Sequence, residues 1–153
     1  MRNQKKLLID QLDRKLNNYK NLVKINPPDL GWINSIRLAL NMTLEQLGNR
    51  LGIRQQGAKK IEERESTGAI TINSLKEAGN ALDMDFVYGF VPRHGSIESL
   101  IDESARKLAK KIVLRTNHNI KLEKQENKIE IIEEAIEEYA AEIKRKMPKS
   151  IWD

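Results

Sequence analysis

Between residues 43 and 82 the chain places helix starts and helix stops at short intervals, so a compact group of short helices is expected there. Thr43 is a good N-cap for a helix over residues 44–51, and Gly52 supplies the stop. Residues 54–65 read as the next helix, with Ala58 and Ile61 and the lysine stems on alternate faces. A loop at 66–69 then leads to a helix over 73–82, whose Leu75, Ala78 and Leu82 face inward. Ahead of this group, residues 31–41 carry Trp32, Ile33, Ile36, Leu38 and Leu40. Eight Gly and four Pro in 153 residues are too few for a turn-rich β-sandwich, which points to a mainly α fold.

The flanks extend this helical pattern. Leu8, Leu12, Leu16, Tyr19 and Val23 recur at helical spacing, predicting an amphipathic helix over 4–23 that Pro27 and Pro28 close off. Phe86-Val87-Tyr88-Gly89-Phe90-Val91, ended by Pro92, is the best strand candidate, with Ile70-Thr71-Ile72 a weaker one. A lone strand has unpaired edges, and pairing Phe86, Val87, Tyr88, Phe90 and Val91 with the same residues of a second copy would satisfy them in a symmetric homodimer. Ser96 caps an expected helix over 97–115, broken by Asn117-His118-Asn119. The last helix, over 125–147, turns Ile129, Ile132, Ile136, Tyr139 and Ile143 inward, and Lys144, Arg145 and Lys146 complement its dipole. The division expected is a basic N-terminal helical arm (1–25), a helical domain (26–85), and a strand with a two-helix C-terminal extension (86–153).

Composition removes alternatives. With no cysteine there is no disulfide framework, thiolate metal cluster or cysteine nucleophile. No apolar run approaches the roughly 18 residues that span a bilayer. Asp10 and Asp13 fall where a signal peptide would continue apolar, so a cytoplasmic protein is expected. The net charge of +5 is unevenly placed. Residues 1–25 hold seven basic and two acidic side chains, whereas residues 26–94 hold eight of each and 95–153 twelve of each. The surplus therefore lies in the arm, where Lys5 and Lys6 become candidate phosphate contacts. The competing reading is a solvated helix face.

The stretch GWINSIRLALNMTLEQLGNRLGIRQQGAKKIEERESTGAITINSLKEAGNALDMDF, residues 31–86, resembles the Cro/C1-type helix-turn-helix family. Thr43, Leu47-Gly48, Leu51, Gly52-Ile53, Ile61-Glu62 and Leu75, Ala78 and Leu82 match the family pattern in order. A small residue at Gly48 lets two helices approach, Gly52 permits a left-handed turn, and Ile53 and Ile61 plug the angle between the helices. The resemblance implies double-stranded DNA as partner, with the 54–65 helix in the major groove. Arg54, Gln55, Gln56 and Lys59 would then be the base-reading residues, since a Gln amide matches adenine N6 and N7 while Arg or Lys matches guanine O6 and N7. Thr43, Lys60 and Arg64 would contact phosphate. In isolation, Gln55 and Gln56 would read simply as soluble helix residues. Arg54 stands where the family usually has a capping Ser or Thr, and Leu44 replaces a Gln that in many members meets phosphate. Gly57, inside the recognition helix, costs about 1 kcal/mol relative to Ala and permits either close approach to DNA or tight packing.

The flanks carry a further resemblance. KLLIDQLDRKL near the start, Gly31-Trp32-Ile33, VYGFVP at 87–92, VLRTNH at 113–118, LEKQEN at 122–127 and the terminal MPKSIWD are together similar to the family called mobile mystery protein A. That resemblance implies a bacterial DNA-binding regulator on a mobile element, encoded beside a Fic-domain partner. The expected function is a transcriptional repressor that autoregulates a toxin–antitoxin-like operon. The alternative is an antitoxin that binds and neutralises the Fic-domain partner directly. A Fic inhibitory motif would need Ser or Thr four residues before the Glu of Glu-Gly or Glu-Asn. Residues 122–127 have Glu126-Asn127 but Leu122 at the first position, a partial match that a glutamate-rich stretch produces readily.

Catalytic readings find little support. His94 and His118 are the only histidines and lie far apart, whereas a zinc site takes three or four ligands. No Gly-rich phosphate loop follows a strand, and no nucleophile elbow is present. Neither enzymatic activity nor a metal or cofactor is expected.

Overall fold

The structure is a computed structural model that describes residues 2–117 and 125–153. Of the expected break at Asn117-His118-Asn119, Asn117 is still helical and the other two lie outside the described residues, as do the greater part of the 122–127 motif and the side chains of residues 125–127. The described chain is mainly helical and divides into two compact units. One comprises Asn21–Gly89; the other joins Met1–Lys20 to Phe90–Asp153.

The described helices are α1 (Arg2–Asn17), α2 (Trp32–Ala39), α3 (Leu44–Leu51), α4 (Gln55–Thr67), α5 (Ile72–Ala81), α6 (Ile97–Asn117) and α7 (Gln125–Lys146). Short 3₁₀ turns occupy Lys20–Lys24 and Lys149–Trp152.

In the Asn21–Gly89 unit, local chemistry sets the helix ends. Thr43 Oγ1 accepts the Gln46 N–H at 3.1 Å, and Gln46 Oε1 accepts the Thr43 N–H at 2.9 Å, a reciprocal capping box that starts α3. Gly52, at φ 69°, turns the chain left-handed and ends it. Thr71 Oγ1 accepts from the Ser74 N–H and starts α5. Ile33, Leu47, Ala58, Ala78, Ala81 and Leu82 are buried together, ringed by Ile36, Met42, Leu44, Leu51, Ile61, Ile70 and Leu75. Three alanines in so small a core let the helices pack closely around Leu47. Where the chain leaves α5, the Met84 N–H bonds the Gly79 carbonyl at 2.8 Å. A Cβ on Gly79 would lie 2.8 Å from the Met84 oxygen, so only glycine permits this return.

The strand expected at 86–91 is not formed. Residues 84–92 have no regular secondary structure. Strand hydrogen bonds need a neighbouring strand, and the other candidate is consumed locally because Thr71 caps α5 and Ile72 opens it. Val87, Tyr88 and Phe90 are exposed, Phe90 at 81%, and the Phe86 and Tyr88 rings stack with centroids 5.9 Å apart.

In the second unit α6 and α7 run antiparallel. Lys144 meets Glu98 and Asp102 at one end, and Arg106 meets Glu137 further along. Ile101, Ala105, Ala109, Ile143 and Ile151 form the buried core, the last reaching in from the terminal 3₁₀ turn. The first helix belongs with this pair: Ile9 packs on the core, and Asp13 caps α6 by accepting the Ile97 and Glu98 N–H groups at 2.7 and 3.3 Å. The helix expected over 4–23 therefore stops at Asn17, and the basic segment is anchored rather than a free arm. Its apolar stripe is also displaced from expectation. Ile9, Asp13 and Leu16 are half-buried, while Leu8 and Leu12 are exposed.

Candidate nucleic-acid interface

The face of interest is built on the short turn between α3 and α4. A Cβ on Gly48 would lie 2.8 Å from the Ile53 carbonyl oxygen, so the absence of a side chain there lets the start of α4 cross α3. Ile61 packs in the core as expected, but Ile53 is 39% exposed and instead lies over Gly57. That resolves the role of Gly57: a Cβ there would meet Ile53 Cδ1 at 3.2 Å, so its direction is toward the turn. Arg54 has extended backbone at the N-cap of α4 and makes no side-chain cap bond, which leaves its guanidinium uncommitted to the helix end.

Arg54, Gln55, Gln56, Lys59, Lys60 and Arg64 are all exposed, and helical spacing places them on the outer half of α4. Among the described residues, none of Arg54, Lys59, Lys60 and Arg64 is in an ion pair. Thr43 is exposed at the start of α3, its hydroxyl oxygen accepting within the capping box while its O–H is left for an outside acceptor. Lys5 and Lys6 are exposed on α1, in the other unit. Of the residues expected at a dimer contact, Val87, Tyr88 and Phe90 are exposed, and Phe86 and Val91 are half-buried.

The inner half of α4 holds two carboxylates whose partners lie far off along the chain. Glu62 is buried and receives Arg37 from α2: Arg37 Nε donates to Glu62 Oε1 and Nη2 to Glu62 Oε2 at 3.3 Å. Asn34 Nδ2 donates to the same carboxylate at 2.9 Å, and Arg37 Nη1 donates to the Met42 carbonyl at 2.8 Å. Every arm of this network is satisfied, which is the condition for a buried charge to be tolerated. One turn on, Glu65 accepts the Trp32 and Ile33 N–H groups at 2.7 and 2.9 Å, capping α2 from α4. Gly31, at φ 90°, keeps that approach open, since a Cβ there would lie 2.8 Å from the Glu65 carboxyl carbon. A detectable signal did exist: Glu62 follows Ala58 by four residues, which places a carboxylate on the inward stripe.

This arrangement sorts the charges. Of the three glutamates on α4, Glu62 and Glu65 point inward to donors, and only Glu63 remains among the exposed residues. The unit is balanced in total charge, yet the outer face of α4 presents four cations against one anion. Among the described residues no group of three or more His, Cys, Asp or Glu is placed to hold a metal ion, and no helix is long and apolar enough to cross a membrane. No family model, curated protein or solved structure matches the chain.

Proposed function

We propose that the chain is a sequence-specific DNA-binding repressor of the helix-turn-helix kind, with α4 as recognition helix. The observation that carries this reading is the outer face of α4. Two adjacent amides, Gln55 and Gln56, stand at its first turn between Arg54 and Lys59, while the opposite face is fixed by Arg37–Glu62 and Glu65. A rigid helix with amides at its leading end suits base edges in a major groove, and the cations behind it suit phosphates. Lys60, Arg64 and Thr43 hold the backbone, and Lys5 and Lys6 add a second phosphate contact. The protein acts as a homodimer joined through residues 86–91, on half-sites about 34 Å apart. Its operator lies upstream of its own operon, which encodes a Fic-domain partner.

Footprinting of the purified protein on its own upstream DNA tests the reading. Gln55→Ala with Gln56→Ala is expected to flatten base preference while leaving salt-sensitive, non-specific binding in place; unchanged preference removes the base-reading assignment. If the protein instead co-purifies with the neighbouring gene product and leaves its upstream DNA unprotected, direct neutralisation of a Fic-domain protein becomes the better account.

A further inference from the structure

The unit formed by Met1–Lys20 and Phe90–Asp153 carries two exposed surfaces of opposite character. On α1, Lys5, Leu8, Leu12 and Lys15 follow one another at spacings of three, four and three residues, which aligns them in a single row along the helix. All four are exposed, Leu8 at 55%. The row lies beside the half-buried Ile9, Asp13 and Leu16, of which Ile9 packs on the core and Asp13 caps α6, so it is left over after α1 has packed. The other surface is the groove between α6 and α7. Its floor is Leu114, Ile129, Ile132 and Ile136, with Ile129 63% exposed. Its walls bring five glutamates against two cations, and one of those cations, Arg106, is already paired with Glu137. One surface is thus leucine bordered by lysine, and the other isoleucine bordered by glutamate.

We propose that the α6–α7 groove receives α1 of a second copy of this chain. Leu8 and Leu12 enter the isoleucine floor, and Lys5 and Lys15 meet the glutamate rim at Glu130 and Glu133. Amphipathic helices dock into apolar grooves through residues at this spacing, and opposite charge along the rim sets partner and register. Each copy carries both surfaces, so a reciprocal exchange closes with two-fold symmetry. The contact forms without DNA and is separate from residues 86–91; it engages Lys5, so in the assembled state only Lys6 of the Lys5–Lys6 pair is left for phosphate. Where both contacts form, dimers of the repressor are linked to one another.

Sedimentation velocity on the full-length protein without DNA tests the proposal. One variant carries Lys5→Glu and Lys15→Glu, the other Glu130→Lys and Glu133→Lys; circular dichroism checks that both remain helical. Each variant alone is expected to associate about tenfold more weakly than the wild type, because like charges then face each other. An equimolar mixture is expected to recover association, since both contacts of a mixed pair are again complementary. Variants that associate like the wild type, or a mixture no stronger than either component, overturn the proposal. So does a wild-type chain that shows no association beyond what Phe90→Asp removes, which leaves the groove to a different protein. None of these outcomes depends on whether α4 reads DNA.

Discussion

Arg37 on α2 and Glu62 on α4 form a buried ion pair, their side chains only 10% and 8% exposed. Around it, Asn34 and the Met42 carbonyl complete the hydrogen bonding, and among the described residues Arg37 is the one ionic partner of Glu62. Removing one member leaves the other buried and uncompensated, a loss of about 3–5 kcal/mol. Arg37→Ala and Glu62→Ala are each expected to lower the urea midpoint by an amount of that order, a large share of a small domain's stability. Arg37→Met combined with Glu62→Leu is expected to recover much of it. A single variant that unfolds like the wild type would mean that apolar packing alone orients α4.

Glu65 acts at a distance along the chain as the N-terminal cap of α2. Glu65→Ala strands the Trp32 and Ile33 N–H groups, with an expected cost of about 1–2 kcal/mol. Protection of these amides against hydrogen exchange is the direct readout, and it is expected to fall in the variant while that of α5 is retained.

Gly57 and Gly48 respond to alanine in opposite directions. At Gly57 the new methyl meets the end of a partly exposed Ile53 side chain, which can swing aside, so helix propensity decides the sign. Gly57→Ala is expected to raise stability by up to about 1 kcal/mol. At Gly48 the methyl meets backbone atoms of Ile53 and Arg54, which cannot move without shifting α4. Gly48→Ala is expected to cost about 1–3 kcal/mol. Thermal melts of the two variants side by side check both.

Because α1 is tied to α6 by Asp13, deleting the basic segment would damage the unit that holds α1, α6 and α7 and confuse any binding result. Lys5→Ala with Lys6→Ala removes the charge alone. If both lysines touch phosphate, the slope of log affinity against log salt is expected to shrink by about 0.9 for each phosphate no longer neutralised, with base preference intact. An unchanged slope assigns these residues to the solvated face of α1.

At the end of α7, hydrogen bonds from Arg145 and then Lys146 hold the Glu142 carboxyl down from 4.5 to about 2. A depressed carboxyl contributes its stabilisation above the unfolded value and loses it as pH falls through the folded one, so this support fades between about 4.5 and 2. The group is exposed, and salt screens it. A carboxyl titration followed by NMR is expected to move upward in Arg145→Ala and in high salt.

Much of the helical framework was legible because its signals are local. Thr43 and Gln46 lie three residues apart, and Gly52 acts through its own backbone angle, so the bounds of α3 follow from a handful of neighbouring residues. Gln55 and Gln56, exposed at the start of α4, were singled out by the family resemblance; spacing alone reads them as solvated helix residues. The segment at 86–91 shows the limit of local reading, because β-branched and aromatic composition describes what a strand would need without supplying the partner that makes one.

By itself, the sequence determined a mainly helical chain, the cap and stop of α3, and the amides and cations that α4 carries. Tertiary structure alone decided that the first helix belongs with the last two, through Asp13 and the α6 N-terminus 84 residues away. It also decided that two of the three glutamates of α4 turn inward, one to Arg37 across 25 residues and one to the start of α2. The physical reason is range. A cap supplied by its own neighbours, as at Thr43, acts within about one helical turn, whereas the caps from Asp13 and Glu65 and the burial of Glu62 depend on which distant groups the fold brings together.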